Sequence, residues 1–208
     1  ISTNEIHFFN SVYSLIAVAL GAGAAGTLNM WYYAYVDALM KRTCLRPIPT
    51  GKVTKNQAFI FGFLTSIVAV VGLYFFSNLL SAMILAITIL FYVIIYTIWL
   101  KRKTPQNIVI GGAAGAFPPI IGWTIATGYI SLEPILLFLI IFFWTPSHFW
   151  ALSLYKSEDY KNAKIPMLPI TAGVKVTKTN ILVYSLILFV TALSQYFFYF
   201  SGNLYLLF

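Results

Sequence analysis

The sequence predicts an all-α protein, a polytopic bundle of transmembrane helices. Three observations carry that expectation. Hydrophobic residues make up 60% of the 208 and aromatics 18%, while only 9% are charged, against about 25% in an ordinary soluble domain. Six apolar stretches have roughly the 20 residues that a helix needs to cross a hydrocarbon core. The alternating segments of about ten residues that mark a membrane β-barrel are absent.

The six spans are expected at Phe9–Val36, Ala58–Phe76, Leu79–Leu100, Ile108–Ala126, Pro134–Leu154 and Ile181–Phe200. The first carries GAGAAG at Gly21–Gly26 and the fourth GGAAG at Gly111–Gly115, small residues that let helices approach closely. Ser77 and Asn78 separate the second span from the third. Pro118 and Pro119 are expected to kink the fourth, because proline removes a donor and clashes with the carbonyl one turn back. In a membrane such a break is tolerated where neighbours or a cavity satisfy the freed groups.

Charge placement gives the topology. Lys41, Arg42, Arg46, Lys52 and Lys55 follow the first span, Lys101, Arg102 and Lys103 follow the third, and Lys156, Lys161, Lys164, Lys175 and Lys178 follow the fifth. The connections between, around Ser77–Asn78 and from Thr127 to Glu133, hold no lysine or arginine. The basic side is therefore cytoplasmic by the positive-inside rule. The net charge of +8 reports topology, and nucleic acid is not a partner. Cys44 is the single cysteine, which excludes an internal disulfide and a cysteine-based metal site; it reads as a small filler beside the membrane surface. The first residues do not resemble a signal peptide, and NLYLLF at Asn203–Phe208 reads as the opening of another apolar helix. Residues 1–208 are thus expected to form a single transmembrane domain truncated at both ends.

Acidic residues are scarce enough to be informative. Glu5 and Glu133 fall outside, while Asp37, Glu158 and Asp159 fall on the cytoplasmic side. Asn29, Tyr33 and Asp37 are spaced by four, so on a helix they share one face with a drift of about 40° per step. In one reading Asn29 ties two helices together, Tyr33 and Tyr35 join an interfacial aromatic belt, and Asp37 pairs with Lys41. In the other, this is a polar strip entering a cavity, with Asp37 as a metal-binding carboxylate and Arg42 and Arg46 as diphosphate clamps. Arginine suits that anion because its planar fork donates bidentate hydrogen bonds. Mg²⁺ is typically held by one or two carboxylates plus substrate phosphate oxygens. The second equipped region, Thr145–Gly173, holds His148, Lys156, Glu158, Asp159, Lys161 and Lys164. His148 there is either a hydrogen-bonded structural residue or a ligand contact, and the lysines either topology signals or anion contacts.

At these residues the chain resembles a known family. NMWYYAYVDALMKRTCLRPIPTGKV from Asn29, KRKTPQNIVIGGAAGAFPPIIGW from Lys101 and HFWALSLYKSEDYKNAKIPMLPITAG from His148 are similar to the protoheme IX farnesyltransferases, or haem O synthases, among the UbiA-type intramembrane prenyltransferases. The resemblance covers essentially the whole chain. It implies a nine-helix fold of which these six spans are the second to seventh. It also implies transfer of the farnesyl group of farnesyl diphosphate to a vinyl group of haem B, giving haem O for terminal oxidases. Mg²⁺ is the implied cofactor, and a bacterial inner membrane, with haem A synthase or terminal oxidase assembly nearby, is the implied setting.

Carried over by residue, Asn29 and Asp37 match the first and last positions of the family's N-x-x-x-D-x-x-x-D motif, and Arg42, Thr43, Arg46 and Pro47 match its R-T and R-P pairs. His148, Asp159, Tyr160, Pro166 and Pro169 match in the second region, where Asp159 is the implied second metal carboxylate and Lys156 and Lys161 are diphosphate candidates. The departure is Tyr33, where the family has aspartate. A phenol is neutral at pH 7, so Mg²⁺ binding is expected to weaken, with substrate phosphates and Asp159 retaining part of it. Ala163 leaves the second region with one aspartate rather than the D-x-x-x-D of other branches. Three alternatives stand beside the farnesyltransferase reading: an impaired relic of the family, a prenyltransferase with another acceptor, and a small-molecule transporter. A transporter should carry ionisable residues at mid-membrane, whereas here they gather at one face.

Overall fold

The computed structural model describes residues 8–198 and 200–207. Helix α1 runs Phe8–Leu39, α2 Lys55–Phe76 and α3 Leu79–Leu90, the last continuing without a break into a π-helical run at Phe91–Leu100. The fourth span is two helices, α4 at Asn107–Ala116 and α5 at Pro118–Thr127. Then come α6 at Leu132–Tyr155, two short helices α7 at Ser157–Asn162 and α8 at Leu168–Thr171, and α9 at Gly173–Phe197, with a 3₁₀ turn at Asn203–Leu207. No strand occurs among the described residues. Among the described residues six helices are long and apolar enough to cross a membrane, with the α3 continuation and the α4–α5 pair each counted as one.

Local chemistry explains most boundaries. Thr54 and Gln57 form a capping box that starts α2, with Gln57 N–H donating to Thr54 Oγ1 at 3.2 Å and Thr54 N–H to Gln57 Oε1 at 2.9 Å, satisfying two otherwise orphaned donors. Asn78 caps α3 by accepting from Ser81 N–H at 2.8 Å. The expected kink is a true break: Phe117 ends α4, and Pro118 takes the first position of α5, where a missing N–H costs nothing. Pro146, by contrast, lies inside a continuous α6. Helix α9 begins at Gly173 rather than the expected Ile181, so Lys175 and Lys178 ride on its first turns instead of in a loop.

Helix α1 lies along α2 and also meets α3; α4 and α5 bridge α3 to α6, and α9 packs on α6. Gly62 admits Leu28, since a Cβ there would stand 2.9 Å from Leu28 Cγ. One apolar cluster, including Leu73, Leu85, Ile89 and Ile121, fills the half of the bundle away from the basic loops. Asn78 Nδ2 donates to Thr124 O at 2.7 Å and Ser81 Oγ to Thr124 Oγ1 at 3.0 Å, closing that end. Phe61, Phe75, Leu182 and Phe189 point outward and are exposed, an arrangement that lipid accommodates and water does not.

Candidate functional site

A second cluster, at the basic end, builds the site. Tyr33 and Val36 of α1 and Met40 just beyond its end pack with Ile108 of α4 and with Tyr160, Ile165 and Met167 from the segment around α7. Lys164 turns that segment inward in a left-handed conformation (φ 52°), uncommon for a residue with a Cβ, and Ile165 N–H closes the turn on Tyr160 O at 3.0 Å. Around this apolar frame lies a cavity of about 180 Å³ whose charged lining is Asp37, Arg42, Arg46 and Lys101.

Asp37 is the most buried acid among the described residues, with only 4% of its surface exposed. Its Oδ2 accepts from Arg46 Nη1 at 2.8 Å, and its backbone carbonyl accepts from Thr43 Oγ1 at 2.9 Å. Turns at Met40–Arg46 bring the chain back for this, through Thr43 N–H to Met40 O and Arg46 N–H to Thr43 O, both 3.0 Å. Asp37 therefore pairs with Arg46, not with Lys41 one turn on. One turn below Tyr33, Asn29 Nδ2 donates to the Thr97 hydroxyl at 2.8 Å, which ties α1 to the π-helical run.

Lys101 crosses the middle of the site. Its Nζ lies 4.1 Å from the Tyr33 ring centroid and 5.8 Å from that of Tyr96, and it donates to Asn29 Oδ1 at 3.5 Å. Burial, reinforced by Arg46 and Arg42, brings its ammonium down to about 8, against the partial opposition of Asp37. Asn107 braces the backbone beneath it, donating from Nδ2 to Lys101 O at 3.2 Å and Thr104 O at 2.7 Å. Those two bonds fix the amide's orientation and leave Asn107 Oδ1 buried without a partner.

Of the residues singled out in sequence, Asn29, Tyr33, Asp37, Arg42 and Arg46 are brought together on this wall. Asp159, Lys156, Lys161 and His148 are not on it. Lys156, Lys161 and His148 are exposed and Asp159 is half-buried beside the wall residue Tyr160. His148 stacks on Trp144 with centroids 4.4 Å apart. In sequence Lys101 is a topology signal after the third span, and no spacing or charge marks Asn107, Tyr92 or Tyr96. The reason is helix geometry: five residues separate Tyr96 from Lys101, about 140° apart on an α-helix. The π-turn, with Lys101 N–H bonded to Tyr96 O at 2.9 Å, carries both onto the cavity wall.

Tyr92 belongs to the walls of this polar cavity and of an apolar, partly open one of about 300 Å³ between α1, α3, α4 and α5. A third cavity, about 260 Å³ between α4, α6 and the π-helical run, shares Tyr92, Tyr96 and Phe149. A bundle of membrane-length helices thus sets three cations and one carboxylate beside an apolar slot. The chain belongs to the UbiA prenyltransferase family, whose model matches residues 2–208, and it is an integral membrane protein. It is 65% identical over 197 residues to the protoheme IX farnesyltransferase of Pelagibacter ubique (strain HTCC1062), covering 95% of this chain and 65% of that one. It is 52% identical over 206 residues to the protoheme IX farnesyltransferase of Parvibaculum lavamentivorans, covering 99% and 65%. The chain thus spans about 65% of the length of these relatives. A UbiA homolog from Archaeoglobus fulgidus bound to DMAPP and Mg²⁺ shares the fold, with TM-score 0.76 at 16% identity over 97% of this chain and 70% of that one. The same homolog bound to GPP and Mg²⁺ gives TM-score 0.73.

Proposed function

We propose that this chain forms the diphosphate site and tail slot of a protoheme IX farnesyltransferase, which moves the farnesyl group of farnesyl diphosphate onto a vinyl carbon of haem B. The observation that carries the reading is the meeting, at Tyr92, of a cavity ringed by Arg42, Arg46, Lys101 and Asp37 with an apolar slot. The high identity to relatives of that name supports the choice of acceptor.

The donor set suits Mg²⁺ held mainly by substrate phosphates. It offers one buried carboxylate, Asp37, and the unpartnered Oδ1 of Asn107, and Mg²⁺ takes oxygen ligands and needs few from the protein. When bound, the ion supplies Lewis-acid neutralisation of the departing diphosphate. The chain's own residues do the rest. Arg42, Arg46 and Lys101 hold the diphosphate and offset the charge that collects on it as the allylic carbon–oxygen bond breaks. Tyr92 and Tyr96 present ring faces to the developing allylic cation. The apolar wall of Ile108, Phe149 and Met167 keeps water from that cation. Once the diphosphate has parted from the allylic carbon, the acceptor's vinyl carbon attacks that cation to form the new carbon–carbon bond, and water adds to the cation left beside the porphyrin and gives up a proton, taken by the freed diphosphate, to yield the hydroxyethylfarnesyl group.

Tyr33 stands where the family resemblance implies a carboxylate, and its ring lies against the Lys101 ammonium. Lys156 and Lys161, exposed outside the cavity wall, act on encounter with the anion more than on its bound affinity, and Asp159, also off the wall, is left out of the set that holds the diphosphate and its metal. The loops that hold the site face the cytoplasm of a bacterial inner membrane, next to the terminal oxidase assembly that uses the product.

The test is haem O formation in membranes given haem B, farnesyl diphosphate and Mg²⁺, comparing the natural chain with Tyr33→Asp and Asp37→Ala. Turnover in the natural chain that is lost in Asp37→Ala is the expected result. Turnover only in Tyr33→Asp marks the natural chain as an impaired member of the family. No turnover in either overturns the proposal.

A further inference from the structure

The glycines of α1 and α4 divide into two sets. A Cβ on Gly21 would lie 2.9 Å from Leu85 Cδ1, one on Gly112 would lie 2.9 Å from Thr145 Cγ2, and one on Gly111 would strike the Tyr96 ring. Helix packing requires those three. A Cβ on Gly26 or Gly115 would meet nothing within 4 Å, so packing asks for no glycine there, although glycine inside a helix is less stable than alanine. Both residues line the apolar slot of about 300 Å³. Gly115 lies one turn beyond Gly111 and shares a cavity wall with Tyr92, itself one turn from Tyr96. The missing side chains therefore lie on the wall of the slot, which adjoins the polar cavity at Tyr92. Below that ring the lining has one hydroxyl, Thr88, which donates to Ile84 O at 2.7 Å. Below Tyr92 the slot offers width rather than a further polar side chain.

We infer that Gly26 and Gly115 gauge the hydrocarbon tail: their absent side chains leave the opening through which a long isoprenoid passes beyond its diphosphate-bearing carbon. This rests on the proposed diphosphate site and adds the residues that select tail length. A leucine at either position fills the opening while leaving the cavity at Asp37 and Lys101 untouched, so it discriminates by tail and not by head.

The experiment is isothermal titration of the purified protein with dimethylallyl, geranyl and farnesyl diphosphate in Mg²⁺. The natural protein should bind more tightly as the tail lengthens. Gly26→Leu and Gly115→Leu should weaken farnesyl diphosphate by about tenfold or more, as overpacking an apolar slot does, and leave dimethylallyl diphosphate within about twofold. Gly23→Leu is the control on the same helix, since a Cβ there also meets nothing within 4 Å but Gly23, unlike Gly26 and the equally exposed Gly115, does not line the slot; it should leave the series unchanged. If the leucine variants do not fold, the Gly26→Ala/Gly115→Ala double variant must shift the series in the same direction by less. Equal weakening of all three ligands, or an unchanged order, overturns the inference. Normal tail selection without any haem product would count against the proposed acceptor and for the gauge; no binding of any diphosphate would sink both.

Discussion

Raising the pH should switch off diphosphate capture through Lys101. Its ammonium is brought down to about 8, first by burial and then by Arg46 and Arg42. With that value about nine-tenths of the side chain is charged at pH 7 and about one-tenth at pH 9. If the charge holds the anion, kcat/KM for farnesyl diphosphate should fall about tenfold between those pH values, because that quantity reports the free enzyme's groups. Lys101→Arg keeps its charge throughout, so its profile should stay flat where the natural protein declines. The stability of the ligand-free protein should move the opposite way. The unfolded lysine titrates near 10.5, so between about pH 8 and 10.5 the unfolded state binds more protons, and rising pH relieves the cost of burying the charge. The assay is the pH dependence of initial rates in proteoliposomes beside thermal unfolding of the ligand-free protein. A decline near pH 8 that is identical in Lys101→Arg would place the titration on the substrate or its metal and refute the reasoning.

Three further outcomes follow from contacts in the same site. Arg46→Met strips Asp37 of its 2.8 Å partner and should lower stability by about 1–3 kcal/mol; pairing it with Asp37→Leu should recover most of the loss in thermal unfolding. Gly111→Ala drives a methyl into the Tyr96 ring and should cost about 1–3 kcal/mol, with kcat reduced because Tyr96 shifts from the cavity wall; an unchanged melting temperature would contradict the packing described. Asn107→Leu removes both bonds that brace the turn after Lys101 and should loosen it by about 2 kcal/mol, read as faster hydrogen exchange in the turn after Lys101.

The amino-acid sequence alone determined the class and the number of crossings, because length and apolar content are local properties: a stretch such as Leu79–Leu100 can only cross the bilayer or bury itself entirely. It also determined that Asn29, Tyr33 and Asp37 share a helix face, since that spacing is fixed by the helical repeat. Tertiary structure decided which side chains meet. Asp37 had Lys41 one turn away, yet the turn at Thr43 delivers Arg46 instead. The charges of the second loop looked equipped for the anion, but its apolar residues Tyr160, Ile165 and Met167 are the ones that reach the cavity; they bury against Tyr33 and Met40 while the charges stay solvated. Lys101 enters the site only because a π-helical run replaces the α-helix before it. Likewise GAGAAG and GGAAG read alike as packing surfaces, and only the neighbours of each missing Cβ separate Gly21 and Gly111, which admit a partner, from Gly26 and Gly115, which leave space. Such distinctions depend on atoms far apart in the chain, and no local pattern encodes them.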